Sequence, residues 1–338
     1  MKKAGVITIY SSQNYGAYLQ AYAMQTYLKG KNVDVEFLRV PLKQMKAFLW
    51  SLKTKNIPLM LFRIKQAARY CSSNSMINVG KKENVHSKYD FVVIGSDTLW
   101  DVYNGTYDHT DYFLGFGVNA EKIIAYAPTC NNTTVQAFKQ EYEEKAVFDK
   151  FTSIGVRDQK TADLVSSIAG FEPLVVTDPT FLIDVKQYPV SDTVKIDGKF
   201  MLVYSYGFKD HEVQTIKSYC KEKGLKTVSV GLYNKWCDYN VTANVAEFLG
   251  YMKKADCVVT STFHGTIFSM LFNKKYATYA RDNYKVVDLL QKTGRENHNA
   301  SCYALDEILS KKENMPYSVE FAEMIKKSQI FLDAAAEI

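Results

Sequence analysis

Ala255-Asp256-Cys257-Val258-Val259-Thr260-Ser261-Thr262-Phe263-His264-Gly265-Thr266-Ile267-Phe268-Ser269-Met270 reads as a buried strand running straight into a helix, with a histidine at the turn. The first part is a short β-branched run, Ser261 and Thr262 supply capping hydroxyls, and Gly265 opens an apolar helix. Such a junction presents free N–H groups and the positive end of a helix dipole at the carboxyl end of a strand, where anions bind. His264 adds an imidazole, a side chain that can donate or accept a proton. Two readings stand side by side: an anion site where hydroxyls, imidazole and helix N-terminus converge, and a capped helix whose histidine is structural.

The same grammar runs outward in both directions. Strands are expected at Gly5 to Ile9, Val33 to Leu38, Phe91 to Ile94, Lys122 to Tyr126, Ser153 to Val156 and Leu174 to Val176. Longer amphipathic segments such as Tyr18 to Lys29 and Val135 to Lys150 separate them. From Val185 to Gly198 the pattern lapses into polar residues, and a second series begins with Phe200 to Tyr206, Lys226 to Val230 and Asp256 to Thr260. Alternating strands and helices predict an α/β fold of two doubly wound, parallel-sheet, Rossmann-like domains facing a cleft. The expected division is residues 1–190 and 199–315, with a terminal helix in 316–338.

Composition narrows the function classes. With 338 residues, 47% of them hydrophobic, the chain is long enough for two ordinary domains and is not a disordered protein. Its six cysteines form no Cys-x-x-Cys pair, so neither a zinc ribbon nor a disulfide framework is expected, and a cytoplasmic location fits best. The start reads as a first strand rather than a signal peptide, and no run of about 18 apolar residues predicts a membrane span. Charge is unevenly placed. Between Phe37 and Lys82 there is no acid and there are ten cations, so the net +6 of the chain leaves −4 elsewhere. These cations interleave with apolar residues in a segment of about 42–82 expected as an insertion in the first domain. Residues 43–69 suit peripheral contact with an anionic membrane; a solvated helix pair broken near Pro58 fits equally. Nucleic acid is not expected, because no recognition motif accompanies the basic run.

Other strand ends also carry chemistry. Asn14 and Gly16 stand where the first strand enters a helix, so backbone N–H groups there could hold a phosphate or carboxylate; a turn with a cap is the plainer reading. After the third strand come Asp97, Trp100, Asp101, Tyr103, Tyr107 and Asp111, a mixture of acids and rings suited to a sugar acceptor, with an ordinary surface loop as the alternative. Arg157 closes another strand and could fork onto phosphate, or pair with an acid. Asp178-Pro179-Thr180 reads as a turn.

Taken in order, Asn14-Tyr15-Gly16-Ala17 with Leu19-Gln20-Ala21-Tyr22-Ala23, Gly95-Ser96-Asp97 with Trp100, Tyr126-Ala127-Pro128, Val156-Arg157-Asp158, Asp178-Pro179-Thr180 and Phe263-His264-Gly265-Thr266 resemble the polysaccharide pyruvyl transferase family nearly end to end. The resemblance implies a fold similar to GT-B glycosyltransferases. It implies transfer of the pyruvyl group of phosphoenolpyruvate onto two hydroxyls of a sugar, with no metal and no other cofactor. His264 and Asp97 match catalytic positions, and Arg157 a donor-binding one, with Ser261, Thr262, Gly265, Asn14 and Gly16 beside the donor. Trp100, Asp101, Tyr103, Tyr107 and Asp111 fall to an oligosaccharide acceptor. A lipid-linked acceptor would give the basic segment a purpose, holding a cytoplasmic enzyme at the inner face of a membrane. Thr262 departs from the pattern, since several members have arginine there; Arg281, Lys285 and Arg295 are the candidates to replace it. Thr98 and Asp101 also depart, standing where Gln and Asn are frequent. A nucleotide-sugar glycosyltransferase and a non-catalytic carbohydrate-binding protein are the competing readings.

Overall fold

A strand covered by helices on both faces must be apolar at nearly every position. Lys3–Ile7 (β1), Tyr89–Ile94 (β3), Phe200–Tyr204 (β7) and Cys257–Thr260 (β10) meet that condition and are buried almost throughout. They are the central strands of two parallel sheets in the computed structural model, which describes residues 1–10, 13–40, 54–73, 75–81, 84–103, 111–142, 147–311 and 317–338.

The first unit comprises Met1–Ser51, Ser75–Asp184 and Ala322–Ile338. Its sheet has the order β2-β1-β3-β4-β5-β6, with β2 at Asp34–Phe37, β4 at Ala120–Tyr126, β5 at Ser153–Val156 and β6 at Leu174–Val175. Helices Tyr15–Gly30 (α1), Val135–Glu141 (α3) and Gln159–Ala169 (α4) connect the strands. Helix α1 starts earlier than its apolar periodicity suggests because Asn14 caps it, its Oδ1 accepting from the Gly16 and Ala17 amides. Helix α3 stops at Glu141 rather than running to Lys150. Tryptophan and phenylalanine fill the core: Trp100 packs at 5.2 Å from Phe148 and 5.9 Å from Phe151.

The second unit comprises Leu52–Asn74 and Val185–Phe321. Its sheet has the order β11-β10-β7-β8-β9, with β8 at Lys226–Val230, β9 at Tyr239–Val241 and β11 at Lys275–Thr278. Helix Ile57–Cys71 (α2) is built into this unit, although in sequence it interrupts the first. Pro58 lies in its first turn behind the Asn56 cap, a position where its missing N–H costs nothing, so a helix begins at the break expected near Pro58. The remaining helices here are Asp210–Lys223 (α5), Val245–Lys254 (α6), Phe263–Leu271 (α7), Tyr284–Lys292 (α8) and Leu305–Ser310 (α9). The last helix, Val319–Ala336 (α10), returns mainly to the first unit, where Ser328 Oγ accepts from the Thr177 amide at 2.9 Å.

Each strand order reverses once. In the first sheet β2 lies on one side of β1 and β3 on the other; in the second, β8 and β10 flank β7 in the same way. The crevice beyond the carboxyl ends of the two strands at such a reversal is where open α/β sheets bind ligands. The loops after β1 and β3, and those after β7 and β10, therefore mark one candidate site in each unit.

Candidate active site

In the first unit the loop after β3 carries Asp97. Gly95 is required there: its φ is +130°, and a Cβ would lie 2.0 Å from the Tyr126 carbonyl oxygen. Asp97 itself has φ +79°, and its carbonyl oxygen accepts from the Thr129 amide at 2.9 Å and the Leu99 amide at 2.8 Å. Its side chain is 3.7 Å from Arg157, which follows β5 and is 6% exposed. Arg157 Nη1 donates to Asp178 Oδ2 at 3.1 Å, and Ser96 Oγ donates to the same oxygen at 3.3 Å. The other oxygen of Asp178 accepts from the Thr180 amide and hydroxyl at 3.0 and 2.7 Å. One guanidinium thus stands between two carboxylates at the strand ends, held in a fixed geometry by buried partners.

A second chain of bonds ties α1 to this loop. Gln20, fully buried, donates from Nε2 to Thr8 Oγ1 at 2.8 Å, and Thr8 Oγ1 donates to the Ser96 carbonyl oxygen at 3.1 Å. In the sequence Asp178 reads as a turn residue, and Ser96 and Gln20 carry no role of their own. Asp178 makes that turn with one oxygen and holds Arg157 with the other. The signal was its place at the end of a strand adjacent to that of Arg157, visible only once the strands are ordered.

In the second unit Thr262 caps α7, its Oγ1 accepting from the Gly265 amide at 3.0 Å. Thr260 Oγ1 accepts from the Thr262 amide at 3.1 Å and donates to the Tyr204 carbonyl oxygen at 2.7 Å. Gly265 is sealed beneath these groups, since a Cβ would sit 2.2 Å from Thr260 Oγ1 and 2.6 Å from Thr262 Oγ1. His264 lies in the first turn, 8% exposed, with its ring edge-on to Phe263 at 5.2 Å. Ser261 Oγ meets Ser205 Oγ of the β7 loop at 2.6 Å, so hydroxyls from both strands of the reversal converge. Ser205 was not expected from sequence; it stands after β7 as Ser261 stands after β10.

The candidate phosphate-binding cations are differently committed. Arg281, with φ +46°, holds the buried Glu212 through Nε and Nη2 and reaches the Gly207 carbonyl oxygen. Burial pushes the Glu212 carboxyl up, but hydrogen bonds from Arg281 and the Lys209 amide outweigh this and hold it below the usual carboxylate range. Arg295 is 5% exposed and lies over the Tyr317 ring at 5.2 Å. Lys285 stands half-buried in the first turn of α8.

Three expectations need correction. Trp100 is fully buried, its Nε1 donating to the Phe113 carbonyl oxygen at 3.0 Å, so it is a core residue and not a platform for a sugar. Asp101 is 6% exposed and bound by the Tyr103 amide, Asn131 and Thr133, which makes it a loop organiser. The Gly16 amide, expected to meet an anion, is already taken by Asn14. Tyr103 is 61% exposed and Asp111 lies at the start of a short 3-10 turn, while Tyr107 lies outside the described residues. Among the described residues no group of three or more His, Cys, Asp or Glu is placed to hold a metal ion, and no helix is long and apolar enough to cross a membrane.

The family model of the polysaccharide pyruvyl transferases matches residues 14–283. No curated protein sequence matches significantly. Among solved structures, S. aureus MnaA with UDP is similar at a TM-score of 0.53 and 13% identity, covering 100% of this chain and 97% of that one. The UDP-GlcNAc 2-epimerase of Methanocaldococcus jannaschii gives 0.53 and 11%, covering 98% and 99%. A UDP-N-acetylglucosamine 2-epimerase assignment from Listeria monocytogenes gives 0.53 and 8%, covering 99% and 96%. At these identities the likeness speaks for the fold, two parallel-sheet α/β domains of the GT-B-like kind.

Proposed function

This chain belongs to the polysaccharide pyruvyl transferase family, and we propose that it transfers the pyruvyl group of phosphoenolpyruvate to two hydroxyls of one sugar in a lipid-linked oligosaccharide. The observation that supports this most directly is Arg157, a buried guanidinium set between Asp97 and Asp178 at the ligand-binding end of its sheet. Arg157 can meet an anionic donor by exchanging its longer contact to Asp97 for the donor's phosphate, and His264 at the head of α7 supplies an imidazole for proton transfer.

The reaction has two bond-forming steps. Protonation of C3 turns the methylene into a methyl and makes C2 electrophilic, and one sugar hydroxyl adds there while losing its proton. The C2–O bond to phosphate then breaks and the second hydroxyl adds, closing a cyclic ketal. Of the two hydroxyl protons released, one balances the proton on C3 and the other leaves with phosphate. His264 serves as the acid or base of these transfers, Asp97 orients or deprotonates a hydroxyl, and Arg157 stabilises the phosphate as charge gathers on it. Ser261, Thr262 and Lys285 complete the donor contacts; Tyr103 and Asp111 belong to the acceptor side. An acceptor on a lipid carrier makes the protein a peripheral one at the inner face of a membrane.

Phosphoenolpyruvate is incubated with the protein and a lipid-linked oligosaccharide fraction, and inorganic phosphate and acid-labile pyruvate are measured together. Equal amounts of both are expected, and His264→Ala should slow turnover by about 10²–10⁴-fold. Release of a nucleotide from a nucleotide sugar, with none from phosphoenolpyruvate, would replace this reading by the glycosyltransferase one.

A further inference from the structure

Helix α2 is fixed to the second unit along one side. Phe62 packs on Tyr233 with ring centroids 5.5 Å apart, and the Gln66 amide exchanges two 3.0 Å hydrogen bonds with the Ala243 backbone in the manner of a strand residue. Arg69 pairs with Glu247, and Ser73 Oγ accepts from the Val245 amide at 2.9 Å. The helix contacts use positions 62, 66 and 69, a stripe of helical spacing, and Ser73 continues the attachment just past the helix end. The opposite stripe is apolar and exposed. Ile57 is 63% exposed, Leu61 49% and Ile64 46%, and Ala68 continues the series at spacings of four, three and four residues.

Three large aliphatic side chains in one outward line are costly in water. Their neighbours tell what would cover them. Lys55 precedes the stripe, Arg63 and Lys65 border it, and no acidic residue occurs between Phe37 and Lys82. A second copy laid against this face helix to helix would set the lysines and arginine of one helix against those of the other. An anionic lipid surface supplies both missing partners, hydrocarbon for the stripe and negative headgroups for the lysines.

We propose that the outward face of α2, through Ile57, Leu61 and Ile64 with Lys55 and Lys65, is a docking surface for an anionic lipid bilayer. It rests on the proposed function only for its purpose, that of bringing the enzyme to a lipid-carried acceptor; the contact is with lipid and is indifferent to the donor. The docking element belongs to the second unit, so it orients that unit on the surface.

The full chain is sedimented with large vesicles of phosphatidylcholine, with and without phosphatidylglycerol. Binding is expected only with phosphatidylglycerol and should weaken as salt rises. Leu61→Gln with Ile64→Gln, substitutions that keep helix propensity on an exposed face, should weaken binding on the order of tenfold or more. Lys55→Gln with Lys65→Gln should weaken it independently, and it provides a second arm should the first variant be poorly folded by circular dichroism. Binding by both variants equal to the parent overturns the proposal, as does absence of binding by the parent. A parent dimer that is lost in the aliphatic variant without any vesicle binding would assign the face to self-association instead. Vesicle binding and phosphate release are separate readouts, so failure here leaves the pyruvyl transfer reading standing and the reverse also holds.

Discussion

Gly265→Ala is a sharp test of how the head of α7 is built. The added methyl would lie 2.2 Å from Thr260 Oγ1, 2.6 Å from Thr262 Oγ1 and 2.9 Å from Tyr204 Cδ1, all inside contact distance. Neither hydroxyl can move without loss. Thr260 Oγ1 donates to the Tyr204 carbonyl oxygen and accepts from the Thr262 amide, while Thr262 Oγ1 is the cap that accepts the Gly265 amide. Giving up two such bonds costs about 2 kcal/mol, and losing the cap about 1 more. Alanine returns about 1 kcal/mol of helix propensity. The net is a destabilisation of about 2 kcal/mol, which for a unit of this size lowers its melting temperature by about 4–8 °C. Differential scanning calorimetry of parent and variant reads this directly. The Thr260→Ala background should shrink the effect, because it removes the nearest obstacle, and a double-mutant cycle isolates that coupling. A Gly265→Ala protein as stable as the parent would refute the close packing on which the placement of His264 depends.

Two further outcomes follow from buried charge. Arg157→Met leaves Asp178, 2% exposed, without its cation; the Thr180 bonds remain, so a loss near about 3 kcal/mol is expected in urea unfolding, and Arg157→Met combined with Asp178→Asn should recover part of it. No change in the urea midpoint on removing Arg157 would contradict a buried pair. His298 is held below the ordinary histidine value by burial, with Arg295 and Lys311 adding to the effect against its bond to the Tyr276 carbonyl oxygen. The folded chain therefore binds this proton less readily than the unfolded chain, so the contribution is complete above about pH 6.5 and is lost as pH falls towards the folded value. Melting temperature followed from pH 8 downward should fall in that window, and His298→Phe, which keeps a ring against Tyr276, should flatten the decline; an unchanged pH profile in the variant would count against it.

The sequence by itself determined the alternation of strand and helix, because strands buried on both faces must be continuous apolar runs and the helices between them must be amphipathic. It also determined the strand-to-helix junction at His264, whose Thr262 cap and Gly265 are local features of a few residues. It did not reveal β9, three residues at the edge of its sheet, or β11, short and opening on two lysines, since such strands carry too little apolar periodicity to stand out. Tertiary structure alone decided which strand ends meet. Arg157 and Asp178 lie 21 residues apart in sequence and become partners because β5 and β6 are neighbours. Composition drew Trp100 and Asp101 towards a sugar, but a ring and an acid look the same in sequence whether they line a surface or organise a core; packing against Phe148 and Phe151 decided for the core. Helix α2 makes the same point at larger scale. Its amphipathic pattern was legible, but two faces of one helix can both be apolar, and only the contacts of Phe62 and Gln66 with the second unit determine which face is buried and which is left to meet something else.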